Sequence, residues 1–265
     1  MSNSWAGTAE AYEASFARLC AGTVPDVLGS LGPARPGRRL LDVGCGPGTV
    51  ARAAHRAGFT TVGLDADASM LSLARRKAPQ VALVHGALPR LPCADEQFDA
   101  VAANFLVNHT PDPRAALREL RRVTRPGGRL VVTIWTGAVS PLNSLWNDVM
   151  AAASVIPPPS KSLPPDHDFD RTAEGLSGIM GEARLDDIAV REVTWQFRIP
   201  AADLWGGVVA GIATIGQAYR AQRPRKQVGM RDAYVRLTHE RFPDGELRLP
   251  SSALLASACR PHPRA

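Results

Sequence analysis

An apolar run that ends in a glycine-rich turn constrains this chain more than any other feature. In LLDVGCGPGT, at 40–49, a strand of buried type passes directly into Gly44, Gly46 and Gly48, and a helical pattern follows. Glycines in such a turn permit positive φ and let backbone N–H groups at a helix N-terminus approach a ligand closely. The segment therefore predicts a strand, a cofactor cradle and a helix, although a simple tight connection would give the same pattern.

Short apolar runs alternate with helical patterns on both sides of this turn. Helices are predicted at Thr49 to Ala57, Asp67 to Ala78 and Arg114 to Val123, the last with its apolar residues on one face. The strand-like runs are RLLDV, TTVGLD, VALVHG, FDAVAAN and RLVVTIW. Continuous apolar strands separated by helices predict an α/β fold, with a parallel sheet covered on both faces.

These strands and helices form a core that is predicted to span 38–136, and further segments precede and follow it. A helical arm is expected over 1–37, before the core. After it, 137–170 contains the proline-rich PPPSKSLPPD and is expected to be a loop, whereas a second insertion at 200–245 has a helical pattern. A helix from Arg171 to Gly181, a strand-like run at 188–199 and a short terminal strand in RLPSSALLASACR complete what we predict to be one structural domain, 137–265 being the remainder of the sheet with lid insertions.

Charge alone does not identify a partner. The chain has 31 Lys and Arg against 25 Asp and Glu, a net charge of +6. Nearly all the cations are arginines spread along the chain, and the longest cluster, Arg220 to Lys226, is short. Because nucleic-acid binding needs several converging cations, a solvated surface is expected and a nucleic-acid partner is not.

The cysteines and apolar windows point to a cytoplasmic protein. Cys20, Cys45, Cys93 and Cys259 lack the spacing of a zinc site and are expected to be free thiols. The N-terminal segment has acids and no continuous apolar core, so we do not expect a signal peptide. The most apolar window, 204–216, is shorter than the ~20 residues of a membrane span.

Two acidic residues refine the prediction for the glycine turn. A dinucleotide fingerprint needs a third glycine where this chain has Thr49, and Pro47 also breaks the pattern. Asp42, two residues before Gly44, suits a ligand with an amino group. Asp65 ends the next strand and offers a carboxylate to two ribose hydroxyls. A nucleoside without phosphates fits both acids.

With these pieces in view, the sequence resembles the class I S-adenosylmethionine-dependent methyltransferases, of the small-molecule type related to the ubiquinone and menaquinone methyltransferases. The matching segments are DVGCGPGT, LDADASMLSLARRKAP, LPRLPCADEQFDAV and NFLVNHTPDPRAALRELRRVTRPGGRLVVTIW. The resemblance is strong over 38–136 and loose elsewhere. It implies a Rossmann-like seven-stranded sheet of order 3-2-1-4-5-7-6, mostly parallel with the last strand antiparallel, and S-adenosylmethionine at the carboxyl ends of the central strands.

The resemblance also implies roles for individual residues. The turn would contact the methionine and ribose parts of the cofactor, Asp65 would hold the ribose diol, and Met70 would pack near the adenine. Where many relatives have an acid in a GDA sequence, this chain has Gly86, Ala87 and Leu88, so only backbone groups remain for the adenine amino group. The expected cofactor contacts are Tyr12, Asp42, Gly44, Cys45, Gly46, Gly48, Asp65, Ala66, Met70, Ala87, Leu88 and Asn104.

No catalytic residue is obligatory for methyl transfer from a sulfonium, since orientation alone supplies about 7 to 11 kcal/mol. The candidates follow the fourth strand, where the family places its active-site mouth. Asn104 is a candidate contact to cofactor or substrate, and a capping role is equally compatible with its position. His109 is a candidate general base or a structural residue of its loop.

Aromatic residues outside the motif have two interpretations. Trp5 and Tyr12 in the arm are candidates to close over the sulfonium, or they pack the arm. Trp135, Trp146, Phe169 and Trp205 are candidates for an apolar substrate pocket, or they belong to the core. His167 stands among Asp166, Asp168 and Asp170, but consecutive loop residues seldom converge on a metal, so none is expected.

The sequence thus predicts a methyltransferase acting on an oxygen, nitrogen or carbon nucleophile of a small, partly apolar molecule such as a secondary metabolite. Methylation of tRNA or protein is an alternative favoured only by charge. A third hypothesis is a protein of this fold that binds the cofactor without transferring its methyl group. A nucleotide-dependent oxidoreductase is disfavoured by Pro47 and Thr49.

Overall fold

The computed structural model describes residues 7–156 and 163–263, and within them seven strands form one sheet. The strands are β1 (Arg39–Val43), β2 (Thr60–Asp65), β3 (Ala82–His85), β4 (Phe98–Asn104), β5 (Thr124–Ile134), β6 (Asp186–Pro200) and β7 (Glu246–Cys259). Their order in the sheet is β3-β2-β1-β4-β5-β7-β6, which confirms the predicted topology. The pairs among β1 to β5 are parallel and β7 runs antiparallel to β5, as predicted.

Eleven α-helices accompany the sheet in the described part of the chain. They are α1 (Ala9–Ala14), α2 (Phe16–Cys20), α3 (Val24–Ser30), α4 (Thr49–Ala57), α5 (Ala68–Lys77), α6 (Pro113–Val123), α7 (Pro141–Ala152), α8 (Ala173–Glu182), α9 (Ala201–Val209), α10 (Ala213–Arg220) and α11 (Pro224–Arg241). None of them is long and apolar enough to cross a bilayer.

The strand order makes β1 the point where the chain reverses direction across the sheet. β2 and β3 lie on one side of β1, and β4 and β5 lie on the other. Register places Val43 beside Leu64 and Asp65 beside His85, so the carboxyl ends of these parallel strands share one edge. Ligands of open α/β sheets bind at such a switch point. The glycine turn after β1 is at this position.

Local signals explain where the helices next to this edge begin. Asp67 caps α5 by accepting hydrogen bonds from the N–H groups of Ser69 and Met70. Asp112 caps α6 in the same way, accepting from Ala115. Such caps typically stabilise a helix by about 1 kcal/mol. They fix the start of each helix near the carboxyl edge of the sheet.

A buried apolar cluster holds the centre of the sheet and its helices together. Leu41, Val101 and Leu130 from adjacent strands are fully buried, and Leu117 and Leu120 present the apolar face of α6 to the same cluster. Each such side chain contributes roughly 1.5 to 3 kcal/mol of burial free energy. This packing stabilises the sheet, which in turn positions the turns at its edge.

The chain separates into two compact units. The described residues of the larger unit lie within Thr23–Gly137, Ser162–Val193 and Ser252–Ala265, and they contain β1 to β5. The described residues of the smaller unit lie within Met1–Gly22, Ala138–Lys161 and Thr194–Ser251. All four cysteines of the chain are free thiols.

The smaller unit has its own aromatic core. Tyr234 stacks on Trp146, with ring centroids 5.5 Å apart, and on Trp205 at 4.9 Å. Trp205 also meets the edge of Tyr219 at 5.4 Å. Trp146, Trp205 and Tyr234 are all less than a tenth exposed. Two of the tryptophans considered for a substrate pocket therefore serve as core residues of this unit.

Two predictions for the second half need correction. The region 137–169 was expected to be a loop, but α7 occupies Pro141–Ala152. Pro141 stands at the start of that helix, where its missing N–H costs nothing, and the Ser140 side chain accepts from Asn143 N–H as a cap. The terminal strand is also longer than expected, because β7 already begins at Glu246. Most of the PPPSKSLPPD segment lies outside the described residues.

Candidate active site

The backbone N–H groups of the glycine turn donate hydrogen bonds to other groups of the protein. Gly44, Gly46 and Gly48 all have positive φ, of 69°, 52° and 85°. The N–H groups of Gly44 and Cys45 donate to Leu64 O at 2.7 and 2.9 Å, and Gly48 N–H donates to Cys45 O at 2.9 Å. Gly46 N–H donates to a carboxylate oxygen of Asp65 at 2.8 Å. Because these four donors already have acceptors, the turn does not present them as a cradle for a pyrophosphate.

Gly44 also permits a contact that the sequence did not reveal. A Cβ at this position would lie 2.8 Å from Cδ1 of Leu106, closer than real Cβ atoms approach their neighbours. Leu106 follows β4 and is partly buried. The segment after β4 therefore packs directly on the turn after β1. Only the three-dimensional pairing of β1 with β4 shows this contact.

Asp65 ends β2 with both carboxylate oxygens facing backbone donors. One oxygen accepts from Gly46 N–H at 2.8 Å, and the other accepts from Asp67 N–H at 2.9 Å. Burial raises the pKa of this carboxyl, and the two hydrogen bonds partly counteract that rise. Each oxygen retains a lone pair for a further hydrogen bond. A vicinal diol is a ligand that two such oxygens can bind.

Asp42 lies beneath the turn and is only 1% exposed. One of its oxygens accepts from Ala51 N–H in the first turn of α4 at 2.8 Å. Its other oxygen is buried and has no hydrogen-bond partner among the described residues. Burial raises the pKa of Asp42 to about 8, and the nearby Asp65 carboxylate adds to the rise. A buried carboxylate with one unmatched oxygen suits a positively charged hydrogen-bond donor.

The residues near these two acids fit S-adenosylmethionine. Its amino group matches the unmatched oxygen of Asp42, and its ribose diol matches Asp65. Met70 is buried on the first turn of α5, where the Asp67 cap fixes its position. Cys45 is also buried, and burial raises the pKa of its thiol, so it contributes volume and no charge.

The segment expected to contact the adenine is closely packed. Gly86 N–H donates to Asp65 O at 3.0 Å, which connects this segment to the end of β2. Leu88 is buried, Ala87 is partly buried, and Ala66 is exposed, with its carbonyl 3.0 Å from Nε2 of His85. Their contacts with the cofactor stay predictions.

Asn104 connects two strands and the N-terminal part of the larger unit. Its side-chain oxygen accepts from the Thr23 hydroxyl at 2.8 Å and from the Thr133 hydroxyl at 2.6 Å. These bonds fix the side chain at the carboxyl ends of β4 and β5. They support a positioning role, while the predicted contact to cofactor or substrate stays a prediction.

An aromatic pair follows Asn104 at the same edge. Phe105 has a φ of 53°, a conformation that bulky side chains seldom adopt. Its ring stacks on Trp135 with centroids 3.9 Å apart, and its N–H donates to the Thr133 hydroxyl at 2.9 Å. Unusual backbone conformations persist only where the surrounding structure enforces them, and they cluster at functional sites. This pair is therefore part of the candidate site.

His109 ends a 3-10 turn, Val107–His109, that follows this pair. The residue is exposed, and its ring makes no hydrogen bond with the described residues. Neighbouring protein atoms partly desolvate the ring and lower its pKa, and the positive charge of Arg171 lowers it further. The lowered pKa favours the unprotonated imidazole, which is the form that a base requires.

Several other predicted residues lie elsewhere. Tyr12 belongs to α1 of the smaller unit, where its hydroxyl donates to Cys20 Sγ at 3.7 Å; its contact with the cofactor stays a prediction. Trp5 lies outside the described residues. Phe169 packs against the core cluster and below the Arg171 guanidinium, 4.0 Å from the ring centroid.

The ring of His167 lies within hydrogen-bonding distance of a backbone carbonyl. Its Nδ1 lies 3.0 Å from Pro111 O, and the neighbouring Asp168 is paired with Arg171 at 2.8 Å. No group of three or more potential metal ligands occurs among residues 7–156 and 163–263.

Comparisons with known proteins give a consistent picture. A family model described as "Methyltransferase domain" matches residues 41–132. The demethylmenaquinone methyltransferase of Renibacterium salmoninarum is 32% identical over 189 residues, covering 71% of this chain and 76% of that protein. The enzyme of the same name from Beutenbergia cavernae is 33% identical over 182 residues, covering 67% of this chain and 73% of that protein.

Solved structures agree in fold. The YcgJ protein of Bacillus subtilis superimposes with a TM-score of 0.56 at 18% identity, over 91% of this chain and 99% of that one. The Haemonchus contortus phosphoethanolamine N-methyltransferase 2, in complex with phosphomonomethylethanolamine and S-adenosylhomocysteine, gives a TM-score of 0.55 at 18% identity, over 91% of this chain and 52% of that one.

Proposed function

Because this chain belongs to the class I S-adenosylmethionine-dependent methyltransferases, we propose that it methylates an oxygen, nitrogen or carbon nucleophile of a small, partly apolar molecule. The relatives named for demethylmenaquinone support a small acceptor with a ring and an apolar part. The observation that carries the proposal in this chain is the stacked pair of Phe105 and Trp135 at the carboxyl edge of the sheet. Phe105 directly follows β4, and Trp135, which is partly exposed, directly follows β5.

In this proposal two acids hold two different parts of the cofactor. Asp42 binds its amino group and Asp65 binds its ribose diol. The turn of Gly44, Cys45, Gly46 and Gly48 shapes the space between these two parts. Contacts from Ala66, Met70, Ala87 and Leu88 would hold the adenine, with backbone groups in place of the acid that many relatives use.

The bound cofactor supplies an electrophilic methyl group on a good leaving group. The protein's own contribution is orientation: the Thr23 and Thr133 hydroxyls fix Asn104, and Leu106 fixes the segment after β4 on the glycine turn. Correct orientation of two reactants accounts for about 7 to 11 kcal/mol in well-aligned reactions. His109 then accepts the proton of an acceptor that must lose one.

Replacing His109 with Gln tests the role of the imidazole. We expect the rate at saturating substrate to fall about 10²-fold or more, since a positioned base contributes about 10²- to 10⁴-fold. The wild-type rate should rise with pH through a pKa below the ordinary histidine value, because the ring must be unprotonated. This rise should disappear in the variant. A variant with unchanged rate and an unchanged pH profile would leave His109 with a structural role.

The methyl-transfer proposal is tested with purified protein and cofactor carrying a labelled methyl group. Acceptors would include a hydroquinone, a phenol, an aliphatic carboxylic acid and a primary amine, with RNA and a basic peptide as macromolecular arms. We expect S-adenosylhomocysteine and a labelled product with at least one small aromatic acceptor. Cofactor binding without any transfer would favour the non-transferring alternative, and labelled RNA or peptide would favour a macromolecular substrate.

A further inference from the structure

A cleft with a basic lining lies between α4 and the last turn of α5. Its volume is about 160 Å³, and its lining includes Arg52, His55, Arg56 and Lys77, together with the segment 79–81 that follows α5. We call this feature the basic cleft. Two further cations, Arg75 and Arg76, lie in the same last turn of α5.

Arg52 and Arg56 of the basic cleft differ from many arginines of this protein. Arg52 and His55 are half-buried, and neither they nor Arg56 has a side-chain hydrogen bond or ion pair with any described residue. Elsewhere in the larger unit, Arg122 and Arg260 each pair with a carboxylate at 2.5 to 2.6 Å. A half-buried guanidinium without an acceptor is costly unless a ligand supplies one.

Acids close in sequence do not balance this charge. No Asp or Glu occurs between Val43 and Leu64 or between Ala68 and Ala94. The carboxyl ends of α4 and α5 each carry a partial charge of about −0.5, which attracts cations. Two such ends amount to about one negative charge against the positive charges of Arg52 and Arg56. None of the residues that line the basic cleft is acidic, so its lining keeps a net positive charge.

The basic cleft is separate from the candidate active site. Both helices begin at the carboxyl edge of the sheet, α4 after Gly48 and α5 after Asp67. His55, Arg56 and Lys77 lie in the last turns of the two helices, whereas Arg52 is the fourth residue of α4. Most of the lining therefore lies toward the ends of these helices that are far from the glycine turn.

We propose that the basic cleft binds a phosphate group of a small molecule, as a monoester or a diphosphate. Guanidinium groups match phosphate oxygens with paired, charge-assisted hydrogen bonds, and a lysine ammonium adds a mobile positive charge. The small concave volume suits one or two phosphoryl groups. Nucleic acid instead requires an extended series of cations along its backbone. This site does not depend on the methyl-transfer proposal.

Isothermal titration with inorganic phosphate and pyrophosphate at low ionic strength tests the site. The variant is the double substitution Arg52→Ala and Arg56→Ala. Its control is Arg223→Ala with Arg225→Ala, which removes the same charge from two exposed positions of the smaller unit. We expect wild type and control to bind pyrophosphate alike, and the cleft variant to bind at least about 10-fold more weakly.

Two further measurements separate the possible outcomes. Thermal unfolding and S-adenosylhomocysteine affinity should be unchanged in the cleft variant, which shows that the fold and cofactor site are intact. If the Ala variant unfolds, substitution of Arg52 and Arg56 by Gln provides a milder variant for the same titration. Absence of pyrophosphate binding by wild type, or equal weakening in both variants, would overturn the proposal. A single-stranded RNA oligonucleotide that binds more tightly than pyrophosphate, and only when Arg52 and Arg56 are present, would assign the cleft to nucleic acid instead.

Discussion

Replacing Asp65 with Ala should abolish cofactor binding. In the structure its two oxygens accept from the backbone of Gly46 and of Asp67, so the carboxylate connects the glycine turn with the start of α5. The substitution removes the acceptors proposed for both ribose hydroxyls and leaves two N–H groups without their partner. Since a hydrogen bond to a charged group contributes about 1.5 to 3 kcal/mol, losing two weakens binding by at least about 100-fold.

Calorimetric titration with S-adenosylhomocysteine measures this loss directly. Asp65→Asn is the graded variant, because it keeps one acceptor oxygen, and it should bind with intermediate affinity. Asp187→Asn removes one negative charge at an exposed position and should bind as wild type does. Near-native affinity in Asp65→Ala, with a folded thermal transition, would show that the ribose is held elsewhere and would contradict the site as proposed.

The first half of the fold could be predicted because its strands are buried on both faces. Continuous apolar runs such as FDAVAAN leave little choice of structure, and β4 occupies Phe98–Asn104 as expected. The helices that begin at Ala68 and Pro113 were predicted to within a residue from their apolar spacing. In the second half, the proline-rich PPPSKSLPPD led to the prediction of a loop, and α7, which begins at Pro141, was missed.

The candidate site was predictable only where a residue's role depends on its own segment. Asp42 and Asp65 each end a strand beside the glycine turn, so spacing along the chain revealed them. Contacts that join distant segments left no such signal. Thr23 reaches Asn104 across 81 positions of sequence, and Leu106 covers Gly44 only because β4 lies beside β1.

Replacing Asp42 with Asn should remove a large pH dependence of the cofactor-free protein. In the wild type the folded state holds a proton on Asp42 up to a pKa of about 8, whereas the unfolded chain releases it near 3.8. The folded state therefore binds more protons across this interval, and the free energy of unfolding falls as pH rises from 4 to 8. At about 1.4 kcal/mol per pKa unit, the decrease is on the order of 5 kcal/mol. The variant has no ionisable group at this position, so its free energy of unfolding should not fall in this way.

Cofactor binding should respond in the opposite sense. The ionised carboxylate is the form that binds an ammonium group, so wild-type affinity should increase with pH up to about 8, and binding should release a proton below that pH. Titrations in buffers of different ionisation enthalpy measure this proton. Asp65 and the Cys45 thiol also face Asp42, so Asp65→Asn and Cys45→Ala show whether either group contributes to the proton that is released.

The Asn side chain still offers an oxygen to Ala51 N–H, so the start of α4 is retained and the loss is confined to the charge. We expect Asp42→Asn to be more stable than wild type above pH 8, to bind the cofactor about 10- to 100-fold more weakly, and to release no proton. Greater stability of the variant together with weaker cofactor binding would show that the buried charge of Asp42 destabilises the cofactor-free protein and serves to bind the cofactor. Unchanged affinity and unchanged proton release would instead assign Asp42 to capping α4 alone.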